Sequence, residues 1–481
     1  MNALQTVTPK TGRPGSKQCA ASIDAAIRSL LALTRPVSED TRLALARAWE
    51  RVPDRFRTPR QFLGRQYAGC GATIGAMPRC DFACRGCYLV EESNRTPPLP
   101  LADIEAQLRQ LRRWLGEGGN LQLTDGEVAL RDESELLHLI RSSREIGLVP
   151  MLMTHGDWIR RDPERLQRLM SDGGLTELSI HVDTTQRGRR GSAYRFARFE
   201  RDLMPLRDEF ADLIRRVRRE TGLRLEVATT MTVTRESLAE VPDVIRWLLH
   251  NADAFKMISF QPAAQVGRTE MGLGGGGGAE ELWERIALGL SPSLRDPGAL
   301  EAGQGWLGHP DCSRFFQGVV QTGREGIPVF HPLHDFISET SVRSAEGLLQ
   351  RFGGLTFRLD SRSQKILRWL AVAAAHPYFV LRELLPMASD WWRRIAPEGR
   401  VRFIVDWFRQ RQRLHYLNIV SHHFMSAAEL ETPWGRDRTD LCVFKTPVDG
   451  ELRSMCEVNA LGLRRQVIPR LESTDKLLES A

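Results

Sequence analysis

Long apolar runs are missing from this 481-residue sequence. The most apolar stretch, residues 369–381, is shorter than the roughly 20 residues a bilayer-crossing helix needs, and it contains His376 and Pro377. A membrane-spanning protein is therefore not expected. A secretory signal is not legible either: Lys10, Arg13 and Lys17 are followed by no apolar stretch. A strong charge of one sign is also missing. Lysine and arginine number 67 against 60 acidic residues, a formal net charge of +7, and the arginines are scattered. No nucleic-acid partner is expected from that balance. Cysteine is scarce, eight in the whole chain, too few for a disulfide scaffold. In a cytoplasmic, reducing setting, grouped cysteines read first as metal ligands or catalytic groups. No internal repeat is visible.

What is present is a folded-protein composition, 42% hydrophobic and 26% charged. Residues 1–66 read as a helical preamble, with helical spacing at 20–34 and 39–51 punctuated by Pro36 and Pro53. From about residue 67, short apolar strands alternate with amphipathic helices. The strands are expected at 71–75, 120–124, 149–154, 175–182, 225–230 and 255–261. The helices are expected near 101–115, 133–146, 162–172, 199–221 and 236–250. This alternation predicts an α/β fold, a partial (βα)6 barrel over residues 67–270, with its chemistry in the loops after the strands. The run 272–278, with five consecutive glycines, reads as a flexible linker or flap within 271–280. Residues 281–481 form a mixed, partly helical C-terminal extension.

Cys80, Cys84 and Cys87 fall within eight residues, directly after the first expected strand. Three thiolates on one tight loop can wrap a metal centre. A four-iron cluster held so would keep one iron free of protein ligands, as a catalytic cluster requires. A zinc site is the alternative; it needs a fourth ligand, for which His155, His181 and Cys70 are candidates. A non-catalytic zinc-binding scaffold or binding module follows from that alternative.

Cys-x3-Cys-x2-Cys followed by Tyr88 resembles the signature of the radical S-adenosylmethionine (SAM) superfamily, over about residues 68–268. The resemblance implies a [4Fe–4S] cluster on Cys80, Cys84 and Cys87, with SAM chelating the fourth iron. It implies reductive cleavage of SAM to a 5′-deoxyadenosyl radical, hydrogen abstraction from a substrate, and a reducing electron donor of flavodoxin or ferredoxin type. Asp125-Gly126-Glu127 is similar to the family's Gly-Gly-Glu segment, which binds the SAM amino group. Asp125 replaces a glycine there. Thr154-His155-Gly156 resembles a turn after the third strand. By the same resemblance Ser179, His181, Thr230 and Arg268 are SAM contacts. An ordinary polar barrel interior is the plain alternative for the hydroxyls and for His181.

Outside the barrel, Cys312, Cys442 and Cys456 are candidates for a second, auxiliary iron–sulfur cluster, with buried core cysteines as the alternative. Cys442 and Cys456 lie in strand-like sequence on either side of a hairpin turn expected at 446–450. His309-Pro310-Asp311-Cys312, Cys442-Val443-Phe444 and Met455-Cys456-Glu457-Val458-Asn459 resemble elements of the branch containing tetraether lipid synthase-like proteins. Around residues 366–425, tryptophan and arginine interleave with apolar helices. A packed helical subdomain or peripheral membrane contact fits that pattern. The second reading favours a lipid or isoprenoid substrate over another small molecule.

Overall fold

β1 (Cys70–Ala72), β2 (Asn120–Leu123), β3 (Val149–Thr154), β4 (Glu177–His181), β5 (Glu226–Val233) and β6 (Phe255–Pro262) stand side by side in chain order, all parallel. This is the architecture in the computed structural model, which describes residues 37–189, 193–274 and 277–464. The helices between the strands follow from their apolar spacing. Leu101–Leu115 buries Ile104, Leu108, Leu111 and Leu115, one per turn on a single stripe. Met204–Thr221 does the same with Leu206, Phe210, Leu213, Ile214 and Val217. Together these stripes and the outer face of the strands form the main hydrophobic core.

The sheet does not stop at β6. β7 (Gln304–Trp306), β8 (Ser313–Thr322) and β9 (Pro328–Pro332) come from the C-terminal half, as do β10 (Arg413–His422), β11 (Phe444–Val448) and β12 (Glu451–Ser454). β10 pairs parallel with β6, and β8 lies antiparallel on β10. β11 pairs parallel with β1 at the other edge and turns back into β12. The curled sheet thus has twelve strands, and C-terminal residues close both edges of the six-strand core. The hairpin turn is the Asp449-Gly450 pair, with φ of 49° and 81°, the left-handed pair that a two-residue turn requires.

Other expectations need adjustment. The helix at Glu39–Glu50 is present and packs Ala44, Leu45 and Ala48 against Leu441 and Val443. The expected helix at 20–34 and the basic start of the chain lie outside the described residues. So do residues 275 and 276 of the glycine run. Beside them Leu273 is buried, Met271 is exposed, and Gly278 stands at the N-terminus of the helix Ala279–Gly289. Cys456 is not in a strand. It sits on the helix Met455–Ala460, whose Ser454 and Glu457 form a capping box that starts a helix there. No helix among the described residues is long and apolar enough to cross a membrane.

Candidate functional site

The loop after β1 carries Cys80, Cys84 and Cys87, all unpaired and partly buried. Loops after the neighbouring strands hold it from both sides. Behind β4, the carbonyls of Arg187 and Thr185 accept hydrogen bonds from Ala83 N–H and Arg85 N–H, each at 2.8 Å. Behind β6, Arg268 N–H donates to the Cys87 carbonyl at 2.8 Å, and Gly267 passes so close that a Cβ would lie 2.2 Å from the Tyr88 carbonyl oxygen. Burial pushes the Cys80 thiol up to about 12, with Glu127 and Cys87 adding to it. The Cys84 thiol rises well above its usual value, first from burial and then from the other two cysteines. With their thiols raised in this way, Cys80 and Cys84 become thiolates only beside a compensating cation. The donor set therefore fits a metal centre. One cation is already placed: Arg268 Nη2 donates to Cys87 Sγ at 3.3 Å.

Asp125, Gly126 and Glu127 follow β2. Gly126 lies against the cysteine loop, where a Cβ would sit 2.2 Å from the Arg79 carbonyl oxygen. Gly126 N–H and Glu127 N–H donate to the carbonyls of Met77 and Arg79, both at 2.8 Å. Glu127 is buried, and its carboxylate accepts Thr154 Oγ1 at 2.8 and 2.9 Å and His155 N–H at 2.9 Å. Asp125 is engaged differently. Its carboxylate takes Gly75 N–H at 2.8 Å and pairs with the Arg464 guanidinium, while its carbonyl accepts the Tyr88 hydroxyl at 2.6 Å.

The row along β4 and β5 points inward as its alternation implies. Ser179 and Thr230 hydroxyls meet at 3.2 Å. His181 Nε2 contacts Asp183 and lies 3.1 Å from Thr232 Oγ1. Burial opposes the Asp183 carboxylate, but His181 and the donors from Thr185 and Thr232 outweigh it, and its carboxyl stays well below the usual range.

Two contacts were not anticipated from the residues alone. His155 Nε2 lies 2.8 Å from Asp81 Oδ1, and its ring stacks on Phe82 with centroids 3.8 Å apart. Cys80, Asp81 and His155 present ligand atoms all within 4.8 Å of one another. Arg189 adds hydrogen bonds to the carbonyls of His155 and His181. The signal for His155 was its position after β3; nothing local marked Arg189 or Arg464. Cys70 lies elsewhere, at the opposite end of β1, hydrogen-bonded to Asn120 at 3.2 Å.

Cys312, Cys442 and Cys456 are brought into one neighbourhood by β8, the approach to β11 and the last described helix. Burial raises all three thiols, Cys312 to about 11, and charge on Cys442 and Cys312 raises Cys456 further. Arg438 Nε donates to Cys312 Sγ at 3.0 Å, and Cys442 Sγ to the Phe444 carbonyl at 3.2 Å. Between this group and the end of β6 lies a cavity of about 520 Å³, lined among others by Ala263, Asp311, Phe424, Trp434 and Arg438. His423 also lines it, and its Nε2 is buried with no hydrogen-bond partner.

Residues 74–248 match the model of the radical SAM superfamily. A 7,8-dihydro-6-hydroxymethylpterin dimethyltransferase of Methanocaldococcus jannaschii is 25% identical over 201 residues, 41% of this chain. The chain spans only 37% of that curated relative's length. Similar solved structures include a histidine-tagged anSMEcpe with bound AdoMet, at 14% identity and a TM-score of 0.31, covering 40% of this chain and 50% of that one. Another is citrate synthase SbnG, at 14% identity and a TM-score of 0.24, covering 49% and 82%.

Proposed function

We propose, from a barrel segment (residues 74–248) that belongs to the radical SAM superfamily, that this protein is a SAM-dependent iron–sulfur enzyme acting on an unactivated C–H bond. The observation that carries the reading is the trio Cys80, Cys84 and Cys87 on the loop after β1, at the end of the sheet where a βα barrel does its chemistry. When bound, a [4Fe–4S] cluster with SAM supplies the one-electron chemistry that begins hydrogen abstraction. The chain's own residues hold and orient. The three cysteines give three thiolates, and Arg268 offsets part of their charge. Glu127, locked by Thr154 and His155, offers a fixed carboxylate to the SAM amino group beside the close-packed Gly126. Asp125 helps through its backbone, since its carboxylate is engaged with Arg464. Ser179, Thr230 and His181 offer polar contacts for the remainder of SAM. The electron comes from an external donor of flavodoxin or ferredoxin type.

The finer parts of the proposal concern the C-terminal half. The cavity beside β6 mixes apolar walls with Asp311, His423 and Arg438. That lining suits a substrate with a polar end and an apolar body, such as a lipid or isoprenoid. Cys312, Cys442 and Cys456 are assigned a second iron–sulfur centre. A second reading rests on the close grouping of Cys80, Asp81 and His155, three of the four ligands a structural zinc site needs.

The test is anaerobic reconstitution, addition of dithionite and SAM, and assay of 5′-deoxyadenosine. Cleavage by the wild type that is lost in Cys84→Ala is the expected result. Stoichiometric zinc, no iron and no cleavage would favour the zinc scaffold. Iron near eight per chain, falling to near four in Cys312→Ser, is expected if the second centre is present.

A further inference from the structure

We propose that the helical segment 362–413 is a docking surface for an anionic phospholipid bilayer. It goes beyond the cysteine site and does not depend on it. The segment contains the helices Arg362–Ala375, Leu385–Ile395 and Arg400–Phe408. Each turns an apolar residue inward: Val372 packs with Phe352 and Phe379, and Ile395 with Phe403. A helix covering a soluble protein normally makes its other face polar. Here the outward faces are apolar as well. Leu370 is 62% exposed, Leu381 65%, Val401 77% and Phe408 76%. Ile366 and Leu370 lie one turn apart, as do Leu381 and Leu385, and all four are exposed. Exposed aromatic side chains, Trp369, Tyr378 and Trp407, stand among them.

Charge identifies the partner. Residues 362–413 hold eleven lysines and arginines against four acidic residues. That excess of seven equals the net charge of the entire chain, so the other residues balance to zero. Apolar faces set among basic side chains and aromatic rings match the boundary between anionic headgroups and acyl chains. A nucleic acid would satisfy the arginines but leave the leucine and phenylalanine faces in contact with phosphate or water. No helix here can span a bilayer, so the segment lies on the surface. At its base is an open cavity of about 500 Å³ lined by Arg324, Arg411 and Arg413. Arg324 is already paired with Asp406, which leaves the Arg411 and Arg413 guanidiniums there for a headgroup phosphate.

The experiment is co-sedimentation of the full chain with vesicles of phosphatidylcholine alone or with about 30% phosphatidylglycerol, without SAM or substrate. Binding to the anionic vesicles, at least about tenfold weaker to neutral ones and weakened by salt, is expected. The triple variant Leu370→Glu, Leu381→Glu, Phe408→Glu should lose binding by at least about tenfold, with an unchanged Tm because all three side chains are exposed. Arg411→Ala with Arg413→Ala should weaken only the anionic-vesicle binding. Equal binding to both vesicles, or unaltered binding by the triple variant, would overturn the proposal. So would a stable dimer in solution that the triple variant dissociates, which would assign the faces to a second copy. Salt-sensitive retention on RNA with none on vesicles would likewise overturn it.

Discussion

At the residue scale, Glu127 and Gly126 carry the sharpest expectations. Glu127 sits where a cation would meet a carboxylate already gripped by Thr154 Oγ1 and His155 N–H. Glu127→Gln keeps the shape and removes the charge. We expect a folded protein whose SAM affinity, measured by equilibrium dialysis, falls about 10- to 100-fold, the worth of a charged hydrogen bond. Gly126→Ala presses a methyl against the carbonyl oxygens of Arg79 and Pro78, 2.2 and 2.6 Å from the ideal Cβ. Backbone cannot yield there as a side-chain tip would. A loss of about 1–3 kcal/mol in urea unfolding is expected, together with poorer iron retention, because Arg79 adjoins Cys80. The spacing of the cysteines and the acid after β2 were legible because both are local patterns. The engagement of Asp125 with Arg464 was not, because 339 residues separate the partners.

At the scale of elements, β4 and β5 share a buried polar ladder, Ser179 with Thr230 and His181 with Asp183 and Thr232. The Asp183 carboxyl is held below its unfolded value of about 3.9. Its charged form therefore contributes stability above that pH, and the contribution disappears as pH falls through the folded value. The difference in urea midpoint between wild type and Asp183→Asn should shrink as pH falls below about 4. A difference that grows on acidification would contradict the assignment of charge to Asp183. The parallel strands and their helices were readable from apolar period and length. The helix bearing Cys456 was misread as strand, because its six residues carry too little period to reveal it.

At the scale of the molecule, the C-terminal half completes the sheet at both edges and reaches across the lower end of the barrel. Arg358 meets Glu177 at the start of β4 through two contacts of 2.8 Å, with Asn120 Nδ2 on the same carboxylate at 3.0 Å. Glu177 is buried, so Arg358→Ala strands a charge there. A loss of about 3–5 kcal/mol is expected. Adding Glu177→Gln should recover much of it, since the amide needs no cation; a double-mutant cycle by urea unfolding measures the coupling. If the two losses simply add, the pair is not coupled and Arg358 does not help join the C-terminal half to the barrel.

Local order determined what the sequence alone could declare: six βα units, the loop that holds Cys80, Cys84 and Cys87, and the acid that follows β2. Each is set by neighbours within a few residues, through side-chain period, turn chemistry or ligand spacing. Tertiary structure alone decided the rest. It placed β10 and β11 at opposite edges of the six-strand core, gathered Cys312, Cys442 and Cys456, set His155 against Asp81, and tied Arg464 to Asp125. These pairings join residues far apart in the chain. They arise when unpaired strand edges and buried charges find partners, which no local pattern specifies.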